Sequence, residues 1–292
     1  MSLETAIRNL AARFRGAGIA NPELDAKILV LHGCGLSRED YFRAPERKLT
    51  AEEARRIQDY ESRRLHREPV SRICGAREFW GRDFVIGPAV LDPRADTETL
   101  VETVLDILRE ERRADAPLRI LDLGTGSGCI LLSLLGELPR AWGLGVDLSI
   151  DALAIARANA RRHSLDDRSA FFCGNWLSAV KAGFDLIVSN PPYISGKEIA
   201  TLSPEVRDHD PLLALDGGND GLGAYRAIAS QARSALDPGG WLAFEAGINQ
   251  SCEIVQILDD LGWQTGNSDL RVCSDLAGIN RVVAIKRQRE AG

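Results

Sequence analysis

The chain has 292 residues, of which 45% are hydrophobic and 27% are charged, a composition typical of folded globular proteins rather than disordered or fibrous ones. Its length exceeds the ~100–200 residues of a usual domain, so we expect two structural units. The net charge of −6 is uneven, because the first 72 residues carry 14 Lys and Arg against 11 Asp and Glu, and the rest carry 22 against 31. An acidic main body is a poor match for a long phosphate backbone and argues against a dedicated DNA-binding protein.

The placement of the cysteines and the hydropathy argue against disulfide-bonded, metal-binding, membrane-spanning and exported proteins. The cysteines are scattered, without a Cys-x-x-Cys pair or a His at metal-ligand spacing, at positions Cys34, Cys74, Cys129, Cys173, Cys252 and Cys273. We therefore expect reduced structural thiols, no disulfide framework and no metal site. The longest apolar stretch, Cys129–Leu135, is far shorter than the ~20 residues that cross a bilayer. The amino terminus does not resemble an export signal, so we expect a cytoplasmic protein without membrane contact.

The amino-terminal segment predicts a small helical bundle. Asn21-Pro22 provides a cap and a first-turn proline for a second helix, which Gly33 is expected to stop. Thr50-x-x-Glu53 is a capping box that opens a later helix. The apolar residues of the first helix recur at helical spacing: Leu3, Ile7, Leu10 and Phe14. Because this segment holds no cluster of catalytic side chains, we expect residues 1–72 to form a substrate-docking domain.

A hairpin connector is predicted over residues 73–95, where glycines and a proline separate short aromatic and β-branched runs. Over residues 96–292, apolar strands alternate with amphipathic helices. The expected strands are Leu118–Leu123, Trp142–Val146, Ala170–Cys173, Phe184–Ser189, Trp241–Phe244 and Arg281–Ile285. The last of them follows the turn Gly278-Ile279-Asn280, so we expect it to belong to an edge hairpin. Strands separated by helices imply a parallel sheet covered on both faces. The predicted fold class is therefore α/β, a Rossmann-like doubly wound domain preceded by the helical bundle and the hairpin.

A glycine-rich turn follows the first of these strands, in the sequence Asp122-Leu123-Gly124-Thr125-Gly126-Ser127-Gly128. Alternating glycines let a ligand approach the backbone closely at the carboxyl end of the sheet. The spacing is not that of a dinucleotide fingerprint, because Cys129 stands where the third glycine would be. The turn fits an adenosyl amino acid, with Asp122 near the cation and the glycines beside the methionine portion. A tight strand-to-helix turn of another α/β protein is the alternative.

Two further positions follow strands of the same sheet. Asp147 lies about twenty residues beyond the turn, where a carboxylate accepts the two ribose hydroxyls of an adenosine. Its alternative role is to cap the following helix, for which Ser149 is also suited. Asn175 and Trp176 follow the next strand, where an amide and a flat apolar ring would border an adenine. Taken alone, an Asn-Trp dipeptide more often belongs to a loop and the packed core than to a binding site.

The segment Asn190-Pro191-Pro192-Tyr193 directly follows a buried strand. Its two prolines fix the backbone and remove two donors, so the carbonyl groups there must find partners outside the chain. The side-chain oxygen of Asn190 and the carbonyl oxygen of Pro191 are adjacent acceptors that suit a planar –NH2 group, and Tyr193 would stack on its flat face. Such a tetrapeptide is usually a turn, but its place after the strand and downstream of the glycine turn favours a functional role.

Together these motifs resemble the PrmC/HemK family of protein-(glutamine-N5) methyltransferases, which modify bacterial peptide chain release factors. The resemblance covers nearly the whole chain. Its motifs fall in family order: Glu78–Gly81, Leu91–Glu98, Asp122–Gly128, Asn190–Tyr193, Asp216–Leu222 and Phe244–Gly247. The glycine turn and Asn-Pro-Pro-Tyr would fit many amino-group methyltransferases. The helical front domain and the segment Asp216–Leu222 restrict the resemblance to methyltransferases that act on glutamine.

The resemblance implies a class I S-adenosylmethionine-dependent methyltransferase domain without a metal. The methyl group would pass to the N5 amide nitrogen of the glutamine in the Gly-Gly-Gln loop of class I release factors, leaving S-adenosyl-L-homocysteine. The catalytic residues so implied are Asn190, Pro191 and Tyr193, which with Pro192 also form the substrate-binding loop. The residues and the resemblance together predict these cofactor-binding residues: Asp122, Gly124, Thr125, Gly126, Ser127, Gly128, Asp147, Asn175, Trp176 and Asn190.

The connector departs from the family pattern, because Asp92 and Ala95 stand where Ile and Pro are usual. Loss of that proline predicts a looser strap over the site. No histidine is placed as an obvious general base, and we do not expect His209 to act as one. The proton is therefore expected to leave to water.

We expect a monomer whose partners are release factors, with no direct contact to nucleic acid. A glutamine methyltransferase acting on a ribosomal protein is one alternative. An adenine-N6 nucleic-acid methyltransferase is another, because its target also presents an –NH2 to an Asn-Pro-Pro-Tyr loop, although it would have to flip a base and hold phosphates. A non-catalytic binder of an adenosyl ligand is the third, and the intact substrate loop argues against it.

Overall fold

The computed structural model describes residues 1–180, 183–266 and 269–288, so the last four residues of the predicted second domain lie outside the described part. Its helices are α1 (Leu3–Gly16), α2 (Pro22–Cys34), α3 (Arg38–Arg43), α4 (Ala51–Leu65), α5 (Val70–Cys74), α6 (Glu98–Glu110), α7 (Cys129–Glu137), α8 (Ile150–Arg162), α9 (Pro204–Arg207), α10 (Leu212–Leu215), α11 (Gly223–Ala235) and α12 (Ser251–Asp260). Its strands are β1 (Ala76–Phe79), β2 (Arg82–Val85), β3 (Arg119–Leu123), β4 (Trp142–Asp147), β5 (Ser169–Cys173), β6 (Phe184–Ser189), β7 (Leu236–Glu245), β8 (Leu270–Ser274) and β9 (Asn280–Lys286). Two short 3₁₀ turns cover Ala95–Thr97 and Ile199–Thr201.

The chain divides into two compact units, one of residues 1–76 with 203–209 and one of residues 77–202 with 210–292. The first unit is the predicted helical bundle, and its core contains the expected apolar face of α1. The capping box of α4 is present, because Glu53 N donates to Thr50 Oγ1 at 3.2 Å and Thr50 N donates to Glu53 Oε2 at 2.8 Å. Inside this unit Arg64, which is 6% exposed, pairs with Asp25 at 2.8 Å and with Glu205 at 3.2 Å.

The prediction that Gly33 stops α2 is wrong. The helix runs on to Cys34, and Gly35 ends it in the left-handed conformation with φ of +64°. Gly33 serves close packing instead, since a Cβ atom there would lie 3.0 Å from Ile57 Cγ1 and 3.4 Å from the Tyr60 ring. Sequence alone does not separate a glycine that ends a helix from one that admits a neighbouring helix.

The second unit is built on a seven-stranded sheet of order β5-β4-β3-β6-β7-β9-β8. The first five of these strands run parallel, and β9 and β8 add an antiparallel edge. Strand order reverses between β3 and β6, where Leu123 is paired with Ser189. In open α/β sheets, ligands bind outside the carboxyl ends of strands at such a switch point. The glycine turn and Asn190 therefore leave neighbouring strands at this position.

Both faces of the sheet are covered by helices, as the alternation along its strands requires. On one face, Ile120, Val188 and Ala243 pack with residues of α6 and α7. On the other, Leu121 and Ile187 pack with residues of α11 and α12. The predicted α/β architecture is confirmed, including the separate β1–β2 hairpin.

Two strands differ in extent from the prediction. The predicted edge hairpin is present as β8 and β9, but the bounds of β8 were not predicted, because its residues are half-exposed or exposed without a continuous apolar run. Strand β7 begins at Leu236 rather than Trp241, so it also includes Asp237–Gly240.

Candidate active site

A cavity of about 670 Å³ lies at the carboxyl ends of the parallel strands. Segments after β3, β4, β5 and β6 line it, together with the connector and the segment that leads into α11. The lining residues used below are Arg94, Thr97, Gly124, Thr125, Gly126, Ser127, Asp147, Gly174, Trp176, Asn190, Pro192, Asp216 and Gly217. The fold thus brings together most of the residues that the sequence placed after different strands.

The glycine turn presents its backbone to the cavity. Gly124 N and Thr125 N both donate to the carbonyl oxygen of Val146, at 2.8 and 3.0 Å. Gly126 has a φ of +54°, and its N–H donates to Asp147 Oδ2 at 2.9 Å. Gly128 does not line the cavity but closes the turn onto α8, where an added Cβ would lie 3.3 Å from that of Ala156.

Asp147 connects the turn to the end of β4. Its Oδ2 accepts from Gly126 N, and its Oδ1 accepts from Ser149 N at 2.9 Å. The cap of α8 is Ser149, whose Oγ accepts from Ala152 N at 3.1 Å. Because Asp147 also lines the cavity and each carboxylate oxygen can accept more than one hydrogen bond, it can accept further hydrogen bonds there.

Asp122 lies beneath the turn, outside the cavity lining. It is 1% exposed, and Thr125 Oγ1 donates to its Oδ2 at 2.7 Å. Burial raises the pKa of Asp122 to about 7, an effect that the Thr125 hydroxyl opposes and the nearby Asp147 carboxylate adds to. Its Oδ1 has no hydrogen-bond partner among the described residues.

Trp176 and Asn175 are placed differently. Trp176 lines the cavity beside Gly124, where an added Cβ would lie 3.5 Å from the indole ring. Asn175 is exposed and does not line the cavity, whereas its neighbour Gly174 does. An adenine bound in this cavity would therefore contact the backbone here rather than the side chain of Asn175.

The Asn-Pro-Pro-Tyr segment contributes two of its four residues to the cavity lining, Asn190 and Pro192. Asn190 Nδ2 donates to Thr97 Oγ1 at 3.3 Å. Pro191 is buried, and Tyr193 packs against the core beneath α11. Burial, and next the Glu245 carboxylate, raise the pKa of Tyr193 to about 12, so it stays a neutral phenol.

The segment Asp216–Leu222, which is one of the motifs of the family resemblance, supports the Asn-Pro-Pro-Tyr loop. Ile194 N donates to Leu215 O at 3.0 Å, and Gly217 N donates to Ile194 O at 2.9 Å. An added Cβ on Gly217 would lie 2.8 Å from the Pro192 carbonyl oxygen. Its glycines were the available signal, because they permit this backbone-to-backbone approach.

The connector is anchored by an ion pair that sequence reasoning missed. Arg94 lines the cavity and pairs at 2.7 Å with Asp210, whose side chain is 1% exposed. Asp92 is buried, and its N–H donates to Asp210 Oδ1 at 3.4 Å. A carboxylate 118 positions further along the chain gives no local signal of this contact.

Within the described residues, no group of three His, Cys, Asp or Glu side chains is arranged to hold a metal ion. None of the helices described is both long and apolar enough to cross a membrane.

Comparison with known proteins adds the family. Residues 5–75 match the family model of the PrmC N-terminal domain, and residues 97–205 match that of the methyltransferase small domain. The release factor glutamine methyltransferase of Bradyrhizobium diazoefficiens is 50% identical over 286 residues, covering 98% of this chain and 95% of that protein. The one of Rhodospirillum rubrum is 46% identical, covering 97% of this chain and 84% of that protein.

The chain belongs to the release factor glutamine methyltransferase family. Among solved structures, the hMettl16 catalytic domain in complex with a MAT2A 3′UTR hairpin has a TM-score of 0.58 at 16% identity, over 74% of this chain and 79% of that one, which shows a shared fold. Membership in the family makes this chain a glutamine methyltransferase, and its methyltransferase domain implies use of S-adenosylmethionine.

Proposed function

We propose that the chain transfers a methyl group from S-adenosyl-L-methionine to the N5 amide nitrogen of the glutamine in the Gly-Gly-Gln loop of class I peptide chain release factors. The observation that carries this proposal is Asn190, which directly follows β6 at the switch point and lines the cavity that the glycine turn also lines. Its relatives supply the substrate class, since those reported above are named release factor glutamine methyltransferases.

The residues of the cavity fit the cofactor. Asp147 would accept the ribose hydroxyls, Trp176 would cover the adenine, and the backbone of Gly124–Gly128 would border the methionine portion. When bound, this group supplies a methyl already activated on a sulfonium, so the leaving group departs neutral and needs no acid.

The chain's own contribution is to aim a weak nucleophile. An amide nitrogen is conjugated, so it reacts only when its lone pair is turned to the methyl group. The Asn190 side-chain oxygen and the Pro191 carbonyl oxygen would each accept one N–H of the glutamine amide. Such alignment is worth up to ~7–11 kcal/mol. Both acceptors also interact more strongly as positive charge develops on the nitrogen, which favours the transition state.

Proton removal requires no histidine. None of the four histidines lines the cavity, and His209 Nε2 lies 3.4 Å from the carbonyl oxygen of His66 within the helical unit. Once methyl transfer makes the amide nitrogen acidic, its proton would leave to water. The reaction would take place in the cytoplasm, where release factors act.

The direct test offers labelled S-adenosylmethionine and the full chain to three acceptors in separate reactions: an intact release factor, ribosomal proteins and DNA. We expect label only on the release factor, at the loop glutamine by mass spectrometry, and none on a factor in which that glutamine is replaced by alanine. Label on ribosomal protein or on DNA instead would overturn the proposal in favour of one of its alternatives.

Residues 1–72 are proposed to dock the release factor. This part of the chain carries a net charge of +3 and exposes Arg8, Arg38 and Arg55. Reversing all three to Glu should raise KM for the intact factor roughly tenfold, while a short peptide containing Gly-Gly-Gln should be methylated as before. An unchanged KM for the intact factor would contradict the docking role.

A further inference from the structure

The mechanism above leaves one buried acidic side chain unused. Glu245 is the last residue of β7 and is only 2% exposed. Parallel pairing aligns Ser189 of β6 with Phe244 of β7, so Asn190 and Glu245 leave adjacent strands side by side. Asn190 lines the cavity and Glu245 does not, so Glu245 lies on the side of Asn190 that faces away from the cavity.

Two neighbouring polar side chains, Thr97 and Asn190, favour the ionised form of Glu245 and so oppose the rise of its pKa. Thr97 is 2% exposed, and its Oγ1 accepts from Asn190 Nδ2 at 3.3 Å. The buried carboxylate oxygen Oε2 of Glu245 has no hydrogen-bond partner among the described residues.

This arrangement bears on which atom Asn190 offers to the cavity. The two ends of a carboxamide have nearly the same shape, so only hydrogen-bond partners decide which end points where. Thr97 accepts one hydrogen of Asn190 Nδ2, and the ionised carboxylate of Glu245, next to Asn190 in the strand register, favours the same –NH2 end of the amide. The Oδ1 atom is then left as an acceptor, which the proposed reaction requires.

We propose that Glu245 is a positioning residue that, with Thr97, holds the Asn190 side-chain amide in the orientation that directs Oδ1 at the substrate nitrogen. The inference rests on the proposed function, because the value of that orientation lies in receiving a glutamine –NH2. Glu245 itself touches neither substrate nor cofactor.

The charge state of Glu245 determines whether it can do this. Burial raises its pKa to about 7, opposed by Thr97, Arg281 and Asn190, while Asp96 adds to it. The other groups that interact with it electrostatically are Tyr193, Tyr225 and Cys129, which burial keeps neutral by raising their pKa values. Ionised Glu245 accepts hydrogen bonds, whereas protonated Glu245 offers a hydrogen. The amide orientation should therefore weaken as pH falls through about 7.

The first test is Glu245→Gln, which keeps the shape and removes the charge. We expect kcat to fall roughly ten- to hundredfold, as for a small misplacement of a reacting group, with cofactor affinity unchanged. The matched control is Glu111→Gln, a half-buried glutamate at the opposite end of the sheet that accepts from Trp241 Nε1 at 3.1 Å. The control should lose stability but keep kcat. An unchanged kcat in Glu245→Gln would overturn the proposal.

A double-mutant cycle separates positioning from a general structural or electrostatic effect. If Glu245 acts through Asn190, adding Glu245→Gln to a protein that already carries Asn190→Ala should lower kcat little further. The low-pH loss of kcat near pH 7 should also shrink in Glu245→Gln relative to the wild type. Asp122, whose pKa burial also raises to about 7, affects both proteins equally. Additive losses, or identical pH profiles, would refute the role.

A readout without substrate keeps this inference separate from the proposed function. The side-chain amide resonances of Asn190, assigned by their loss in Asn190→Ala, should show slowed hydrogen exchange at pH 8. In Glu245→Gln they should exchange at least tenfold faster. Slowed exchange without release factor methylation would mean that the substrate is wrong and the positioning role correct. Equal exchange in the two proteins would mean that the positioning role is wrong, whatever the substrate.

Discussion

Single residues at the carboxyl ends of the strands decide which atoms face the cavity. Asn190 and Pro192 line it, whereas Pro191 is buried and Tyr193 packs against the core. The same division separates Asp147, which lines the cavity, from Asp122, which lies below it. Asp122 is 1% exposed, and this burial raises its pKa to about 7.

Replacing Asn190 by Ala removes one of the two proposed acceptors for the substrate amide. We expect kcat to fall by ~10²–10³, the loss typical of one preorganised hydrogen-bonding group, while the cofactor Kd changes much less. Single-turnover kinetics and calorimetric titration of the cofactor measure the two effects. Gln256→Ala, on the exposed side of α12, is the control. A comparable loss of cofactor affinity would argue against the positioning account.

Replacing Asp147 by Asn tests the ribose site. The substitution keeps one acceptor oxygen for Ser149 N or Gly126 N but removes the charge. Cofactor binding should weaken roughly ten- to hundredfold, equivalent to the ~1.5–3 kcal/mol of a hydrogen bond to a charged group. The exposed Asp166→Asn is the control, and equal affinity of both variants would show that Asp147 only organises the loop.

At the scale of elements, one loop supports another. The segment Asp216–Leu222 packs under the Asn-Pro-Pro-Tyr loop through backbone contacts, and Gln250 Nε2 donates to Tyr193 O at 3.0 Å. Gly221 has a φ of +74°, and an added Cβ there would lie 2.8 Å from Gln250 Nε2 and closer still to the Tyr193 carbonyl oxygen. The glycine thus serves both a turn and a close approach.

Gly221→Ala should therefore abolish most activity by displacing the substrate loop. Its matched control is Gly278→Ala, which has a φ of +79° and nothing within 4 Å of the added Cβ. Both substitutions carry the ~1–2 kcal/mol cost of a left-handed alanine, so their melting temperatures should fall. Only Gly221→Ala should also lose kcat. Retained activity in Gly221→Ala would show that the contact is not needed for the loop's position.

At the scale of the whole molecule, the two compact units differ in how their charges are buried. In the first unit, ion pairs lower the pKa values of Glu53 and Glu68, so these carboxylates stabilise the fold at neutral pH. In the second unit, burial raises the pKa of Asp122 to about 7. A carboxyl group that holds its proton more tightly when folded contributes stability that is lost as pH rises toward its folded pKa.

The stability of the second unit should accordingly fall between about pH 4 and pH 7 more steeply in the wild type than in Asp122→Asn, because this is the range between the ordinary pKa of the carboxyl and its folded value. Tryptophan fluorescence during urea unfolding reports on this unit, because it contains all five tryptophans: Trp80, Trp142, Trp176, Trp241 and Trp263. Comparing the two proteins isolates Asp122, since Glu245 contributes equally to both. Equal slopes with pH would contradict the ionisation assigned to Asp122.

Much of the molecule follows from local pattern. The alternation of apolar strands and helices predicted the α/β fold, since period and length are properties of consecutive residues. The glycine turn, Asp147 and Asn190 were placed at one edge because parallel strands share their carboxyl ends. The role of Gly33 was predicted wrongly and the bounds of β8 were not predicted, because a close helix contact and an exposed edge strand leave no distinct local pattern.

The sequence by itself determined the type of fold, the family resemblance and the set of strand ends that form the cavity. Only the tertiary structure decided that Arg94 pairs with Asp210, that Gly221 supports Tyr193, and that Glu245 lies behind Asn190. These contacts join residues distant in the chain, and their strength depends on burial. Burial is a property of the packed molecule, which no short stretch of sequence encodes.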